Sequence, residues 1–378
     1  MRNTLGTSIA AVLLLLAAAA AAADDLQPLL TTLRAVGPNG AGHREAAQAW
    51  QKLVQADAQG LPVILAGLDG AGPLAANWIV TAADAVAQRH LQRGAKLPAA
   101  DLERFVLDTR HAPRARRLAY EWLTRADPSA PQRLLPGMLH DASLELRRDA
   151  VARLVDKTAE SARLGKTAEA AAGYREALSA ARDPDQIALL AERLRKLGQQ
   201  VDLPRHFGFI MRWKLVGPLD NTGEKGFDTV FAPEQRIDLS ATYDAKHGKV
   251  KWVDYVSKDD HGVIDLNAGL VEEKGVAAYA TADFLAAKRQ EVQFRVTTLN
   301  AVKLWVNGQL IDQHNVYHLG SQLDQYTSRA LLEPGRNVIL VKLCQNEQTQ
   351  DWARPWAFQL RVCDEHGGAI LSTDRQQQ

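Results

Sequence analysis

Residues able to grip a sugar stand close together near the end of the chain: Asp351, Trp352 and Arg354, with Trp356 just beyond. An indole face stacks on a pyranose ring and a guanidinium reaches its hydroxyls with two donors, so Trp352, Arg354 and Trp356 are candidate carbohydrate contacts. The competing reading makes a tryptophan here a plug in the end of a β core. Asp220, Asn221 and Asp228, with Glu234 downstream, carry the oxygen ligands that calcium takes. Their spacing matches no compact calcium loop, and Asx turns use the same residues. His314 and His318 have the spacing of metal ligands on a helix, but the run HNVYH lies between strand patterns, where such side chains do not converge. Asp259-Asp260-His261-Gly262 reads as a solvated turn rather than a catalytic group. Cys344 and Cys363 each end a strand pattern. A bridge between them closes a loop of about 20 residues and contributes ~3 kcal/mol in the chain-entropy view, the alternative being two half-buried thiols. Two cysteines alone do not make a zinc site of the usual kind.

No nucleophile elbow, P-loop, HExxH or glycine fingerprint is present. Carboxylate pairs exist, but linear order places none across a cleft. The 378 residues are 46% hydrophobic and 24% charged, with a net charge of +1. That composition suits a two-domain globular chain. Acidic and basic residues are interspersed, so no basic stripe marks a nucleic-acid partner. Met1-Arg2, the apolar run Ile9 to Leu16 and the alanines through Ala23 form a signal-peptide pattern over residues 1–23. The apolar stretch is short against the ~20 residues a spanning helix needs, and no later stretch approaches one. The expectation is an exported protein, periplasmic or secreted, with no membrane span in the mature chain.

Residues 24–198 carry helical period. Leu26, Leu29, Leu30 and Leu33 share one face, and further short amphipathic segments follow from His43, Leu61, Pro73, Pro98 and Pro113. Leu134 to Ala150, LLPGMLHDASLELRRDA, sets Asp141 in a turn before a helix bearing Arg147, Arg148 and Ala150. This resembles the HEAT repeat, and Leu65 to Ile79 repeats its outline around Asp69 with Trp78 near the place of an arginine. KTAEAAAGYREAL, from Lys166, resembles a tetratricopeptide helix, though an ordinary helical hairpin explains it equally. The resemblance implies an α-solenoid, each hairpin burying its apolar face on its neighbours, and a surface for a protein partner.

Residues 199–208 read as a short linker containing Pro204, and 209–371 as β structure. AVKLWVNGQLID, from Ala301, alternates and then meets Asn307-Gly308, a hairpin turn signal. GRNVILVKLC, from Gly335, is apolar enough for a strand covered on both faces. These two stretches resemble the galactose-binding-like β-sandwiches, jelly rolls found beside many glycoside hydrolase barrels. The resemblance implies an antiparallel sandwich, sugar binding in its end loops, and a structural calcium as the one cofactor to consider. The expected architecture is thus a multidomain α + β chain, a helical repeat solenoid followed by a sandwich, with a frayed tail at 372–378. Two functions fit: a non-enzymatic exported scaffold that docks protein and recognises glycan, or a carbohydrate-active enzyme or accessory subunit working in a groove between the domains.

Overall fold

The computed structural model describes residues 25–376. The expected signal peptide at 1–23 and the last two residues of the tail lie outside them. Residues 25–207 are helical and 212–363 form antiparallel β structure. The chain divides into two compact units between Arg193 and Leu194.

Helices in the first unit include 25–34, His43–Leu53, Leu61–Ala66, Pro73–Gln92, Ala99–Leu107, Pro113–Ala126, Leu144–Arg163 and Thr167–Ala180. Proline at the first turn opens several of them, where a missing N–H costs nothing. Leu30, Leu33, Leu53, Ile64, Leu65, Ile79, Val86, Leu102, Val106, Leu123 and Leu146 meet in one core. The two turn aspartates noted above act alike, each tying down a segment from elsewhere in the unit. Asp69 accepts from the Ala112 amide at 2.7 Å and meets His111 Nδ1 at 2.7 Å. Asp141 takes both terminal nitrogens of Arg116, at 2.7 and 2.6 Å, and the amide of Ser143. Arg147 reaches back to the Asp141 carbonyl at 2.8 Å. Ahead of Asp141 the chain makes only a five-residue helix, Ala130–Leu134, and one 3-10 turn.

In the second unit the segment 199–208 holds a short helix, Leu203–Phe207, capped by Asp202. Twelve strands follow among the described residues: β1 Arg212–Asp220, β2 Tyr243–Asp244, β3 Lys249–Val250, β4 Val253–Val256, β5 Ile264–Asp265, β6 Val276–Ala286, β7 Gln290–Thr298, β8 Ala301–Val306, β9 Gln309–His314, β10 Tyr326–Leu332, β11 Gly335–Gln345 and β12 Ala357–Cys363. They build a six-stranded sheet in the order β4-β1-β6-β11-β8-β9, a four-stranded sheet β10-β7-β12-β5, and the small pair β2-β3. Asn307 and Gly308 both take positive φ, 51° and 79°, and Val306 pairs with Gln309 across the turn. Residues 373–376, expected to fray, form a helical turn.

Inward residues of both large sheets share one core, including Leu215, Ala280, Leu304, Val341 and Leu343 from one and Phe294, Val296, Phe358, Leu360 and Val362 from the other. The outer face of the six-stranded sheet is also covered. Val216, Tyr279, Trp305, Leu340 and Cys344 pack there against Phe227, Phe231, Tyr243 and Trp252 of the long β1–β4 connection. Burial on both faces is why β11 reads as a continuous apolar run.

Of the two readings of the cysteines the structure has the thiols: Cys344 and Cys363 are both free and buried. β11 and β12 lie in different sheets, and each cysteine points away from the shared core, opposite Leu343 and Val362 respectively. A whole side-chain layer therefore separates the thiols, beyond the reach of an S–S bond. Burial pushes the Cys344 thiol up to about 12, and the Cys363 thiol also upward.

The loop 315–325 is pinned to the four-stranded sheet by Asp324. It accepts from Arg361 Nε at 2.6 Å and Nη2 at 2.5 Å, and from Arg295 Nη1 at 2.7 Å. Burial raises the Asp324 carboxyl, but the two guanidiniums outweigh it and hold the group below the usual carboxylate value. A depressed folded value means this stability is fully present above the ordinary aspartate pKa of about 3.9 and is lost as pH falls through the folded value. Thermal unfolding between pH 7 and pH 2 will therefore show a steeper acid loss for the native chain than for Asp324→Asn, which starts lower at pH 7.

Candidate functional site

Three loops meet at the end of the sandwich where β1 and β11 finish and β12 begins. The first, Thr222–Phe227, is a 3-10 segment with Glu224 at φ 61°. Gly226 is required in it: a Cβ there would lie 2.6 Å from the Asp220 carbonyl and 2.7 Å from Asn221 Oδ1. The second, 315–325, is the loop Asp324 pins, and it carries Tyr317 and His318. The third is 346–356.

Buried amides fix these loops from below. Asn221 is fully buried, and its Nδ2 donates to Gln345 O at 3.0 Å and Tyr317 Oη at 3.2 Å. Asn300 Nδ2 donates to Gln345 Oε1 at 2.9 Å, and Gln345 Nε2 to the Ala353 carbonyl at 2.8 Å. Buried hydrogen-bond networks of this kind hold loops in one geometry. Above them Asn346 bridges two loops. Its Nδ2 donates to Glu224 Oε1 at 3.2 Å, and its Oδ1 accepts from His318 Nε2 at 3.0 Å and the Gln348 amide at 3.2 Å. Because an amide oxygen only accepts, His318 Nε2 carries the proton. Glu347 Oε1 accepts from the Gly223 amide at 2.5 Å.

The result is an open hollow of ≈ 370 Å³ lined by Glu224, Asn346, Glu347, Gln348, Thr349 and Gln350. Beside it the Trp352 indole stands edge-on to His318, ring centroids 5.1 Å apart, and remains 57% exposed. Leu319, 71% exposed, adds apolar surface on the His318 loop. Near these loops two buried acceptors, Asn221 Oδ1 and His318 Nδ1, have no donor among the described residues. The Tyr317 phenol is pushed well above its ordinary value, first by burial and then by surrounding charges that include Glu224 and Glu347.

No family model and no curated protein matches the chain. Solved structures similar to part of it include a beta-glucosidase from Kluyveromyces marxianus, at 10% identity and TM-score 0.27, covering 49% of this chain and 22% of that one. A GH31 alpha-xylosidase from Xanthomonas citri matches at 13% identity and TM-score 0.18, over 30% of this chain and 15% of its own length. The chain thus spans about a fifth or less of either enzyme. Likeness this slight leaves any functional reading to the site's own chemistry.

The carbohydrate candidates separate. Trp352 reaches solvent beside the hollow, but Trp356 is fully buried in the sandwich core, donating Nε1 to the Leu343 carbonyl at 3.3 Å. The reading of Trp356 as a sugar platform is corrected, because an indole sealed between two sheets offers no face to a ligand. Arg354 is exposed, and its guanidinium grips Glu272 Oε1 at 2.8 and 3.1 Å. The calcium candidates face different ways. Asp220 Oδ1 accepts from the amide and hydroxyl of Thr222, Asn221 is sealed inside, and Asp228 is exposed 4.0 Å from Lys303. Nothing in these contacts draws the three toward a common centre. Nor do the two histidines converge: His314 stacks on Tyr326 and pairs with Asp312, while His318 turns to Asn346. Asp259 Oδ1 accepts from the His261 amide at 2.8 Å, the chemistry of a turn. Linear reading missed Glu224, Tyr317, Asn346 and Glu347; the last two carry one signal, the polar run QNEQTQDW ending at an exposed tryptophan, and the first two carry none.

Proposed function

We propose that this chain is a non-enzymatic binding protein whose β unit recognises carbohydrate at the loop-end hollow. The carrying observation is an exposed indole, Trp352, set beside a hollow lined by carboxylates and carboxamides. Apolar ring faces and ring hydroxyls are the two surfaces a sugar presents, and this arrangement meets both. An open hollow whose lining side chains are mostly exposed suits binding rather than turnover, since nothing there excludes water from a reacting bond. The β unit is read as a galactose-binding-like sandwich. The helical unit is read as a HEAT-like stack with a tetratricopeptide-like last pair, a scaffold for a protein partner, supported by the shared role of Asp69 and Asp141. Among the described residues no helix is long and apolar enough to cross a membrane. Export through the expected leader would bring such a protein to extracellular or periplasmic glycans.

A glycan array on the full chain tests this reading. Binding is expected, weakened tenfold or more by Trp352→Ala, as for an aromatic hot spot, and little changed by Arg354→Ala. Incubation with the bound glycan should release no new reducing ends. Absence of any glycan signal, or equal binding by Trp352→Ala, would sink the assignment.

A further inference from the structure

A separate cavity lies at the other end of β1 from the hollow, where that strand begins. It measures ≈ 330 Å³, toward the lower end of the range for small-molecule sites, and its walls come from 202–212, the end of β4, β6 and the segment after β12. Backbone bonds fix these walls. The Ile370 amide donates to the Val362 carbonyl at 2.9 Å, the Ser257 amide to the Met211 carbonyl at 2.9 Å, and the Leu285 amide to the Ser372 hydroxyl at 2.9 Å. Ile210, Met211, Val256 and Ile370 give the cavity an apolar side, and none of the four is fully buried.

Two arginines line it without a counter-ion. Arg375 is half-buried; its Nη1 donates to the Phe209 carbonyl, and the guanidinium forms no ion pair among the described residues. Arg212 is exposed and makes neither a side-chain hydrogen bond nor an ion pair among the described residues. Three aspartates also line the cavity, but each has a partner of its own. Asp202 accepts from the Arg205 amide at 2.8 Å as a helix cap, Asp283 from Arg336 Nε at 2.9 Å, and Asp374 from the Ser372 hydroxyl. Burial holds the Arg375 guanidinium below the usual arginine value; Asp202 opposes this, while Arg205 and Arg212 add to it. The cavity thus joins unpaired cationic donors to an apolar wall.

We propose that this cavity binds a small organic carboxylate with an apolar body, its carboxylate on Arg212 and Arg375 and its body against Met211, Val256 and Ile370. A guanidinium meets a carboxylate with two parallel donors, and such charge-assisted bonds are the strong ones. The aspartates set the charge of the ligand. A phosphate dianion would bring a second negative charge among them, whereas one carboxylate answers the unpaired cations without it. A neutral ligand would leave the half-buried Arg375 as uncompensated as before. This site does not depend on the glycan reading of the hollow.

The experiment is titration calorimetry of the full chain at neutral pH with phenylpropanoate, its neutral amide, glucuronate and inorganic phosphate. Phenylpropanoate is expected to bind about tenfold or more tighter than each of the other three. Arg212→Gln and Arg375→Gln should each weaken it about tenfold and leave the amide unchanged. Arg212→Gln removes no side-chain contact within the protein, so its unfolding midpoint should match the native one, and it carries the test even where Arg375→Gln loosens the segment after β12. Equal affinity for the acid and its amide, tighter binding of phosphate or glucuronate, or full affinity in Arg212→Gln overturns the proposal. Binding of none of the four probes overturns it too. The glycan reading is measured through Trp352 and stands or falls separately.

Discussion

Asp141→Ala is expected to destabilise the helical unit by about 3–5 kcal/mol, because it strands a buried charge. Arg116 is 1% exposed, and its guanidinium spends its donors inside the protein: Nε on the Val106 carbonyl at 2.7 Å and both terminal nitrogens on the two oxygens of Asp141. Without the carboxylate the cation keeps one carbonyl and no counter-charge, and water cannot reach it unless the packing opens. The Ser143 amide, at the start of the Leu144–Arg163 helix, loses its acceptor in the same step. Urea unfolding followed by helical circular dichroism reads the loss as a lower midpoint. The double change Arg116→Met with Asp141→Leu separates charge from shape. It replaces the pair by apolar groups of similar bulk and should recover most of the loss, since a buried pair often does no better than well-packed hydrocarbon. An Asp141→Ala chain as stable as the native one would show that Arg116 finds another partner.

The two halves were legible in the sequence for different reasons. Helical period survives because each short helix has one buried face, as Leu30 and Leu33 or Leu102 and Val106 show. The Asn307-Gly308 turn was readable because few residue pairs accept positive φ twice in succession. Which strands share a sheet was not readable. That ordering decides the cysteines: each ends a strand pattern, but only the assignment of β11 and β12 to opposite sheets puts a side-chain layer between them. Trp356 shows the same limit. From the sequence it is as good a sugar platform as Trp352, four residues earlier, and a single change from loop to strand start turns one indole outward and the other into the core.

The hollow was harder still. Glu224, His318 and Glu347 come from three loops far apart in the chain, joined only because β1 and β11 end at the same edge of the sandwich. His318 stands four residues after His314, a spacing that points to metal and not to this hollow, while Glu224 and Glu347 each read as loop polarity. What marks them is a meeting that exists only in three dimensions, Asn346 donating to Glu224 and accepting from His318 beside Glu347. Of the two tryptophans of the 346–356 segment, Trp352 reaches solvent beside His318 and Trp356 is buried in the core.

Glu234→Ala is the second large effect, and it tests what holds the long β1–β4 connection onto the sheet. Lys342 lies in the middle of β11 with its side chain fully buried. Its ammonium donates to the Phe227 carbonyl at 3.0 Å, the Thr229 carbonyl at 2.7 Å and Glu234 Oε1 at 2.7 Å, and the Tyr279 hydroxyl donates to the same carboxylate. Removing that carboxylate leaves a buried cation facing two carbonyls and a buried phenol with no acceptor, at a cost of about 3–5 kcal/mol at neutral pH. Burial already holds the Lys342 ammonium below its ordinary value. Between that folded value and about 10.4 the unfolded chain binds the extra proton, so stability rises with pH across this window. Tyr279 works the other way. Burial first, then Glu234, pushes its phenol far upward, so stability falls once pH passes about 10 and the unfolded tyrosine ionises. In Glu234→Ala, Lys342 has lost its counter-charge and sheds its proton more readily. The penalty should therefore be largest at pH 7 and smaller near pH 9.5, where a neutral amine no longer needs the carboxylate. Denaturant midpoints at the two values measure this, and limited proteolysis should cut first between Asn221 and Trp252. A penalty independent of pH would mean that the lost contacts are steric and that the buried charge at Lys342 does not govern the docking of this segment.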